Sequence, residues 1–249
     1  MDLRGKKVIV TGGVSGLGRS IVEKLLVKDA AVSVFDVNAE GLKSLKAENG
    51  SVTCFECDVS DHHHVVSAIA QYRNTFGSPD VLINNAGILY SAPLVRITET
   101  GTERHDVAAW NKVLAADLNS VFYMTACVVE AMITTRTRGV IVNVSSVAAS
   151  GNAGQSAYSA AKAGVNALTA TWAKELGTQG IRVVAVAPGY ADTLSTHKAL
   201  SDALLQDVVK RVPLRRLAKP EEIADGVISI VENDFFNGKV LQLDGGMVL

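Results

Sequence analysis

The sequence predicts an α/β fold: a single domain carrying a doubly wound, seven-stranded parallel sheet with helices on both faces. Short β-rich runs alternate with longer helical patterns throughout the 249 residues, the order that builds β-α repeats. Most of the runs (VIV, VLI, VIVNV, VVAVA) are apolar without interruption, as strands covered by helices on both sides of a parallel sheet must be. No internal repeat, low-complexity tract or Pro/Ser-rich linker divides the chain, so one domain is expected over residues 1–249.

The first strand, Lys7 to Thr11, runs into Thr11-Gly12-Gly13-Val14-Ser15-Gly16-Leu17-Gly18, and a helical pattern follows from Gly16 to Lys28. Glycines at 12, 16 and 18 permit a tight turn, close approach of a pyrophosphate to the backbone and close packing of helix on strand. Free N–H groups at the helix start face the anion. The second strand, Ala31 to Phe35, ends at Asp36, eighteen residues past Gly18. That is near the spacing at which a carboxylate accepts hydrogen bonds from an adenosine ribose, so the pattern is a dinucleotide site of the Rossmann type. Like charges about 4 Å apart at an effective dielectric near 20 repel by roughly 4 kcal/mol. Asp36 would therefore oppose the extra 2'-phosphate of NADP, and NAD is the expected cofactor.

A helix over Ala39 to Ala47 leads to the third strand, Val52 to Glu56. Cys54 and Cys57 beside it stand an odd number of residues apart, which points them to opposite faces. No second pair completes a zinc site, so no metal is expected. His62, His63 and His64 open the next helix (His62 to Phe76) behind Asp61; consecutive helical residues are turned about 100° apart and cannot converge on one ion. The fourth strand, Val81 to Asn84, is followed by a long segment, Ile88 to His105, and a helix over Asp106 to Met132 that holds Asn119 as a candidate buried polar residue. The strand Val140 to Ser145 ends at adjacent Ser145 and Ser146, and a helix from Ala157 to Leu176 follows. After the strand Arg182 to Ala187 comes a second long segment, Gly189 to Leu200, then helices Leu200 to Arg211 and Pro220 to Val231 and the last strand, Val240 to Leu243. Pro220 with Glu221 and Glu222 behind it is a helix start. Ligands of open α/β sheets bind beyond the carboxyl ends of the strands, so the two long segments are expected to wall a substrate site.

Tyr158 and Lys162 stand four residues apart on one helix face. A free phenol has a pKa near 10, too high for efficient base catalysis at neutral pH. An adjacent ammonium and the positive nicotinamide of NAD both favour phenolate, and about 4 kcal/mol of such interaction lowers the pKa by roughly three units.

Together these residues resemble the short-chain dehydrogenase/reductase family across essentially the whole chain. The family's glycine pattern stands as Thr11, Gly12, Gly16 and Gly18, its adenine-side acid as Asp58, and its Asn-Asn-Ala-Gly as Asn84 to Gly87. Its tetrad stands as Asn119, a serine, Tyr158 and Lys162, and its Pro-Gly with a following threonine as Pro188, Gly189 and Thr193. The resemblance implies NAD contacts at Gly12, Ser15, Gly16, Leu17, Gly18, Asp36, Asp58, Val59, Asn85, Ala86, Gly87, Tyr158, Lys162, Pro188, Gly189 and Thr193. It also implies that Tyr158 exchanges the hydroxyl proton, serine orients the oxygen, Lys162 holds the nicotinamide ribose and Asn119 holds a water. The family spacing of thirteen residues from serine to tyrosine selects Ser145. The Ser-Val-Ala-Ala context selects Ser146, with a loop one residue shorter, and Ser146 is preferred because strand-end context fixes side-chain direction.

Within the family, Ser146 to Ala149, Gly154 to Tyr158 and Phe235 to Gly246 resemble 3-hydroxyacyl-CoA and hydroxysteroid dehydrogenases. This implies a 3-hydroxyacyl thioester or hydroxysteroid as substrate. Leu89 to His105 and the lid from Tyr190 onward depart from those enzymes, so 3-oxoacyl reduction and oxidation of small cyclic or aromatic alcohols stay open. An NAD-binding sensor without turnover is the non-enzymatic alternative. The family is commonly homotetrameric through the helices around Asn119 and Tyr158.

Composition adds exclusions. With 24 basic and 25 acidic side chains the formal charge is -1, so no nucleic acid or anionic membrane is expected as a partner. Met1 to Lys7 lacks the apolar core of a signal peptide, and polar residues interrupt the later apolar stretches. With three cysteines, an odd set, a soluble cytoplasmic protein is expected.

Overall fold

A computed structural model describes residues 1–247. In chain order the strands are β1 (Lys7–Thr11), β2 (Ala31–Asp36), β3 (Thr53–Glu56), β4 (Val81–Asn84), β5 (Val95–Thr98), β6 (Gly101–Arg104), β7 (Gly139–Val144), β8 (Ile181–Pro188) and β9 (Val240–Leu243). The helices are α1 (Gly16–Val27), α2 (Ala39–Glu48), α3 (His62–Phe76), α4 (Val107–Leu114), α5 (Ser120–Thr135), α6 (Ser156–Leu176), α7 (Leu194–Ala199), α8 (Asp202–Arg211) and α9 (Pro220–Glu232).

Seven strands form one parallel sheet in the order β3-β2-β1-β4-β7-β8-β9, as expected. The order reverses between β1 and β4, the switch point where such sheets leave a crevice at the strand ends. Alternation along the strands divides the core. Val8 and Val10 of β1 pack with Ile21 and Leu25 of α1 and Ile223 and Val227 of α9. Ile9, between them, packs on the other face with Val65 and Ile69 of α3 and Met124 and Val128 of α5. Cys54 and Cys57 likewise join different faces. Asp61 caps α3, its carboxylate accepting from the His63 and His64 amides, and Pro220 occupies the first turn of α9.

Three local features differ from expectation. The segment Ile88 to His105 contains the antiparallel hairpin β5–β6, paired from Val95–Arg104 to Thr98–Gly101; nearly every hairpin residue is exposed, and the one alternation in it, Val95-Arg96-Ile97-Thr98, is four residues long. The helix expected over Asp106 to Met132 continues to Thr135 and is interrupted by a five-residue π-helical turn, Ala115–Asn119. That whole run, Val107–Thr135, contains an 18-residue window with a mean hydropathy of 1.3 and is long and apolar enough to cross a membrane by composition, contrary to the sequence expectation. In the fold its buried stripe packs on α3 and α6. Finally, a short helix, α7, forms within the second long segment.

Candidate active site

A cleft of about 980 Å³ opens at the carboxyl ends of β1, β2, β4, β7 and β8. Of the residues expected at a site, all but Asn119 line it.

At one end the chain turns tightly from β1 into α1. Gly12 has φ +66°, and a Cβ there would sit 2.9 Å from the Ala86 Cα; a Cβ on Gly18 would overlap the Gly12 carbonyl oxygen. Only glycine fits either place. The turn is tied to the β4 end by side chains. Thr11 Oγ1 accepts from the Asn85 and Ala86 amides, both at 3.0 Å, and Asn85 Nδ2 donates to the Thr11 and Gly12 carbonyls, also at 3.0 Å. Beneath it, Asn84 Nδ2 donates to Asn143 Oδ1 (2.9 Å) and Asn143 Nδ2 to Thr169 Oγ1 (2.9 Å), a buried polar ladder joining β4, β7 and α6. Ser15 begins α1 without a side-chain cap, leaving the first-turn amides to a ligand.

The Asp36 carboxylate accepts from Val14 N (3.2 Å) and Asn38 N (3.0 Å), which fixes its orientation at the cleft edge. Asp58 Oδ1 accepts from the Ser60 amide (2.9 Å) and hydroxyl (2.6 Å). The lining that comes from Gly12 to Gly18, Phe35 to Val37 and Cys57 to Ser60 includes no lysine or arginine among the described residues. Arg19 is committed elsewhere, to Glu23 (2.8 Å) and Glu48 (2.6 Å). A bare glycine cradle, free amides at the start of α1 and a carboxylate at the end of β2 form a donor set that fits a dinucleotide.

At the other end, α6 presents Tyr158 and Lys162 one turn apart. Lys162, 3% exposed, donates from Nζ to the Val144 carbonyl (3.0 Å). The ammonium lies 5.5 Å from the Tyr158 ring centroid. The two serines divide cleanly. Ser145 is buried and its hydroxyl donates to the Lys162 carbonyl at 3.3 Å. Ser146 caps the next turn by accepting from Ala148 N (3.1 Å), and its hydroxyl is the serine group that works to lower the Tyr158 phenol pKa. Both serines line the cleft, and the Ser145 hydroxyl is committed to the Lys162 carbonyl.

The expectation for Asn119 is corrected. Asn119 is exposed and outside the cleft. Asp117, two residues earlier, is fully buried in the site. Its Oδ2 accepts from Ile88 N at 3.0 Å, and Oδ1 lies 3.2 Å from Lys162 Nζ as an ion pair. Oδ1 accepts no well-aligned hydrogen bond. The sequence holds the signal that finds it: Asp117 lies four residues after buried Val113 and four before buried Val121, on the inward stripe, and Asn119 does not.

Burial pushes the Tyr158 phenol upward; Lys162 opposes this, Asp117 and Tyr190 add to it, Ser146 opposes it, and the balance stays above the ordinary tyrosine value. The expectation that Lys162 brings the phenol near neutrality is therefore not met by the protein's own groups, the reasons being burial and Asp117. Burial disfavours the Lys162 ammonium, but Asp117 and then Tyr158 outweigh it and hold lysine charged beyond its usual range. Burial raises the Asp117 carboxyl, with Lys162 and the Ile88 amide pulling against it.

The second long segment walls the cleft as expected, through Tyr190, Ala191, Thr193, Ser195, Thr196, Lys198 and Ala199. Thr193 starts α7, its hydroxyl accepting from Thr196 N. The first segment contributes Ile88 and Leu89, whereas the hairpin lies outside the lining. Sequence reasoning did not single out the polar belt opposite Tyr158: Asn152 Nδ2 donates to Gln155 Oε1 (2.9 Å) and Tyr190 Oη (3.1 Å), and Gln155 Nε2 to Ser91 Oγ (3.2 Å). Its members lie in three separate loops or helix ends, so no local motif marks them.

Comparison with known proteins agrees with this geometry. The family model for short chain dehydrogenases matches residues 6–203. The chain is 39% identical over 256 residues to a 3-oxoacyl-(acyl-carrier-protein) reductase, FabG, of Thermotoga maritima, covering 100% of each protein. It is 34% identical over 254 residues to the FabG reductase of Salmonella typhimurium, again with 100% of each covered. It is 32% identical over 265 residues to a (3R)-3-hydroxyacyl-CoA dehydrogenase of Canis lupus familiaris, covering 100% of this chain and 98% of that one.

Proposed function

The chain belongs to the short-chain dehydrogenase family, an oxidoreductase family, and on that premise we propose that it interconverts a ketone and a secondary alcohol with NAD(H), acting on 3-oxoacyl or 3-hydroxyacyl thioesters. The observation that carries the reading is the placement of Ser146, Tyr158 and Lys162 at one end of a cleft whose other end holds the glycine turn and Asp36.

Gly12, Ser15, Gly16, Leu17, Gly18 and the β4-end residues Asn85, Ala86 and Gly87 would hold the dinucleotide, with Asp36 at its ribose, Asp58 and Val59 beside its adenine, and Pro188, Gly189 and Thr193 at the nicotinamide end. When bound, the nicotinamide supplies or accepts the hydride. The remaining chemistry belongs to side chains of this protein. Tyr158 gives its phenolic proton to the substrate oxygen in reduction, or takes it in oxidation. Ser146 donates a hydrogen bond that holds that oxygen and supports the charge developing on it. Lys162 stabilises the phenolate left on Tyr158. The belt of Asn152, Gln155 and Tyr190 offers polar groups to the substrate beyond its reacting carbon.

The thioester reading is supported by two features: the chain's relatives include enzymes named for 3-oxoacyl and 3-hydroxyacyl substrates, and the cleft wall after β8 carries both apolar and polar residues, among them Ala191, Ala199, Tyr190 and Thr193. Assembly is part of the proposal. The α5 surface carries Phe122 at 51% exposure, its ring tilted against Trp172 of α6 at 6.5 Å between centroids, and Ile133 at 49%. An apolar face of this kind suits a homotetramer built through α5 and α6.

The test is initial-rate kinetics with NADH and with NADPH on a series of 3-oxoacyl thioesters and simple ketones. NADH should be preferred by at least about tenfold in kcat/KM, a difference of about 1.4 kcal/mol. Preference for NADPH would overturn the cofactor assignment. Turnover of simple ketones with none of any thioester would overturn the substrate class.

A further inference from the structure

We propose that Asp117 is a positioning residue that acts through Lys162: as the buried counter-ion of that lysine it cancels the charge facing Tyr158 and keeps the phenol protonated, which sets the resting site for ketone reduction. This rests on the reading of Tyr158 as the acid/base group.

The geometry is specific. Asp117 is fully buried, its Oδ1 is 3.2 Å from Lys162 Nζ, and its other oxygen is held by Ile88 N. The surroundings accommodate a carboxyl group at this place. A Cβ on Gly87 would overlap Asp117 Oδ1, so glycine there leaves room for the carboxylate. The π-helical turn Ala115–Asn119 carries Asp117 on the buried stripe between Val113 and Val121.

The charged and titratable groups around the phenol come from several elements. Lys162 is on its own helix and Asp117 on the π turn, and Tyr190 follows β8. Tyr90 packs in the same apolar cluster as Tyr158. Lys112 on α4 and Lys198 on α7 line the cleft but are exposed, where solvent screens them. Among the described groups near the phenol, one buried cation thus faces one buried anion, and their fields on Tyr158 oppose each other. Burial then decides in favour of the neutral phenol.

The chemical consequence has a direction. In reduction the carbonyl carbon gains hydride from NADH and the oxygen gains the Tyr158 proton, leaving phenolate opposite Lys162 until solvent restores the proton. Neutral Tyr158 is the form this needs. Oxidation needs phenolate first, so its rate should rise with pH until Tyr158 has ionised.

The test is an ultraviolet difference titration of the full-length protein that reads phenolate directly and requires no turnover. Wild type and Asp117→Asn are each measured against the same protein carrying Tyr158→Phe, which isolates Tyr158. Asp117→Asn should titrate at lower pH by about one unit, and the rising limb of kcat for alcohol oxidation should move down with it, while KM changes little. Asp117→Ser, which exchanges the amide for space and a hydroxyl, should give a shift of the same sign. An unmoved titration would show that the carboxyl carries no effective charge, and an upward one that Lys162 loses its proton without Asp117; either overturns the proposal. So does failure of both variants to fold, read by thermal unfolding, since that would make the pair a structural one. Absence of hydride transfer in the wild type would refute the functional reading and leave the titration result standing.

Discussion

Two carboxylates share one cleft with different neighbours. Asp36 sits at its edge, held by the Val14 and Asn38 amides of neighbouring turns, and faces the space a ribose would take. Asp117 lies in the interior, fully buried, against a lysine that the fold brings from another helix. Asp36, itself only 9% exposed, borders the cleft and can meet what enters it. A carboxylate in the interior has one strong neighbour and a low local dielectric, so it acts on the protein's own proton equilibria. The two ends of the cleft therefore separate recognition from chemistry, and each should respond to mutation in its own readout.

The largest effect is expected at the chemical end. Tyr158→Phe should lower kcat by about 10²- to 10⁴-fold while NADH binding, followed by fluorescence, stays within about threefold. Ser146→Ala should lower kcat by roughly 10²-fold, the usual loss for one hydrogen bond to a developing oxyanion. Ser145→Ala should instead cost about 1 kcal/mol of stability, in keeping with a buried hydrogen bond to the Lys162 carbonyl, and leave turnover within a few fold. The reverse ranking in steady-state assays would exchange their roles. At the recognition end, Asp36→Asn should narrow the preference for NADH over NADPH by about tenfold without moving the pH profile of kcat. A displaced pH profile would break the division between the two carboxylates. The smallest effect marks the outer limit of the site. Ile97→Ser, on the exposed hairpin at 86% exposure, should change stability by less than about 0.5 kcal/mol and leave kcat within twofold.

The recognition end is local in sequence, and that is why it is legible there. Gly12, Gly16, Gly18 and Asp36 lie within one strand–helix–strand unit, and each is needed for a reason visible in a short window: a left-handed turn, a close approach, a strand end. The same holds for the sheet, whose seven apolar runs become seven strands with bounds moved by a residue or two. The chemical end depends on residues far apart. Tyr158 and Lys162 are one turn apart and stand out, but their carboxylate partner comes from forty-five residues before Lys162, inside a long helical run where Asp117 and Asn119 lie two residues apart. Choosing between them requires the phase of the buried stripe as well as the polarity of the residue. Ser145 and Ser146 pose a smaller version of the same problem: they are adjacent at one strand end and both line the cleft, so loop length and strand-end context point to different hydroxyls. The hairpin shows only as the four-residue alternation Val95 to Thr98, and the polar belt joins residues from separate segments, so neither stands out along the chain.

The account turns on hydride transfer between the nicotinamide and a carbonyl carbon at Tyr158. The most direct measurement is incubation of the protein with NADH deuterated at nicotinamide C4 and a 3-oxoacyl thioester, followed by mass analysis of the product. Deuterium on the carbinol carbon of the hydroxy product, lost when Tyr158→Phe replaces the wild type, is the predicted result. Tight NADH binding with no label passed to any thioester or ketone would contradict it and identify a nucleotide-binding protein without turnover.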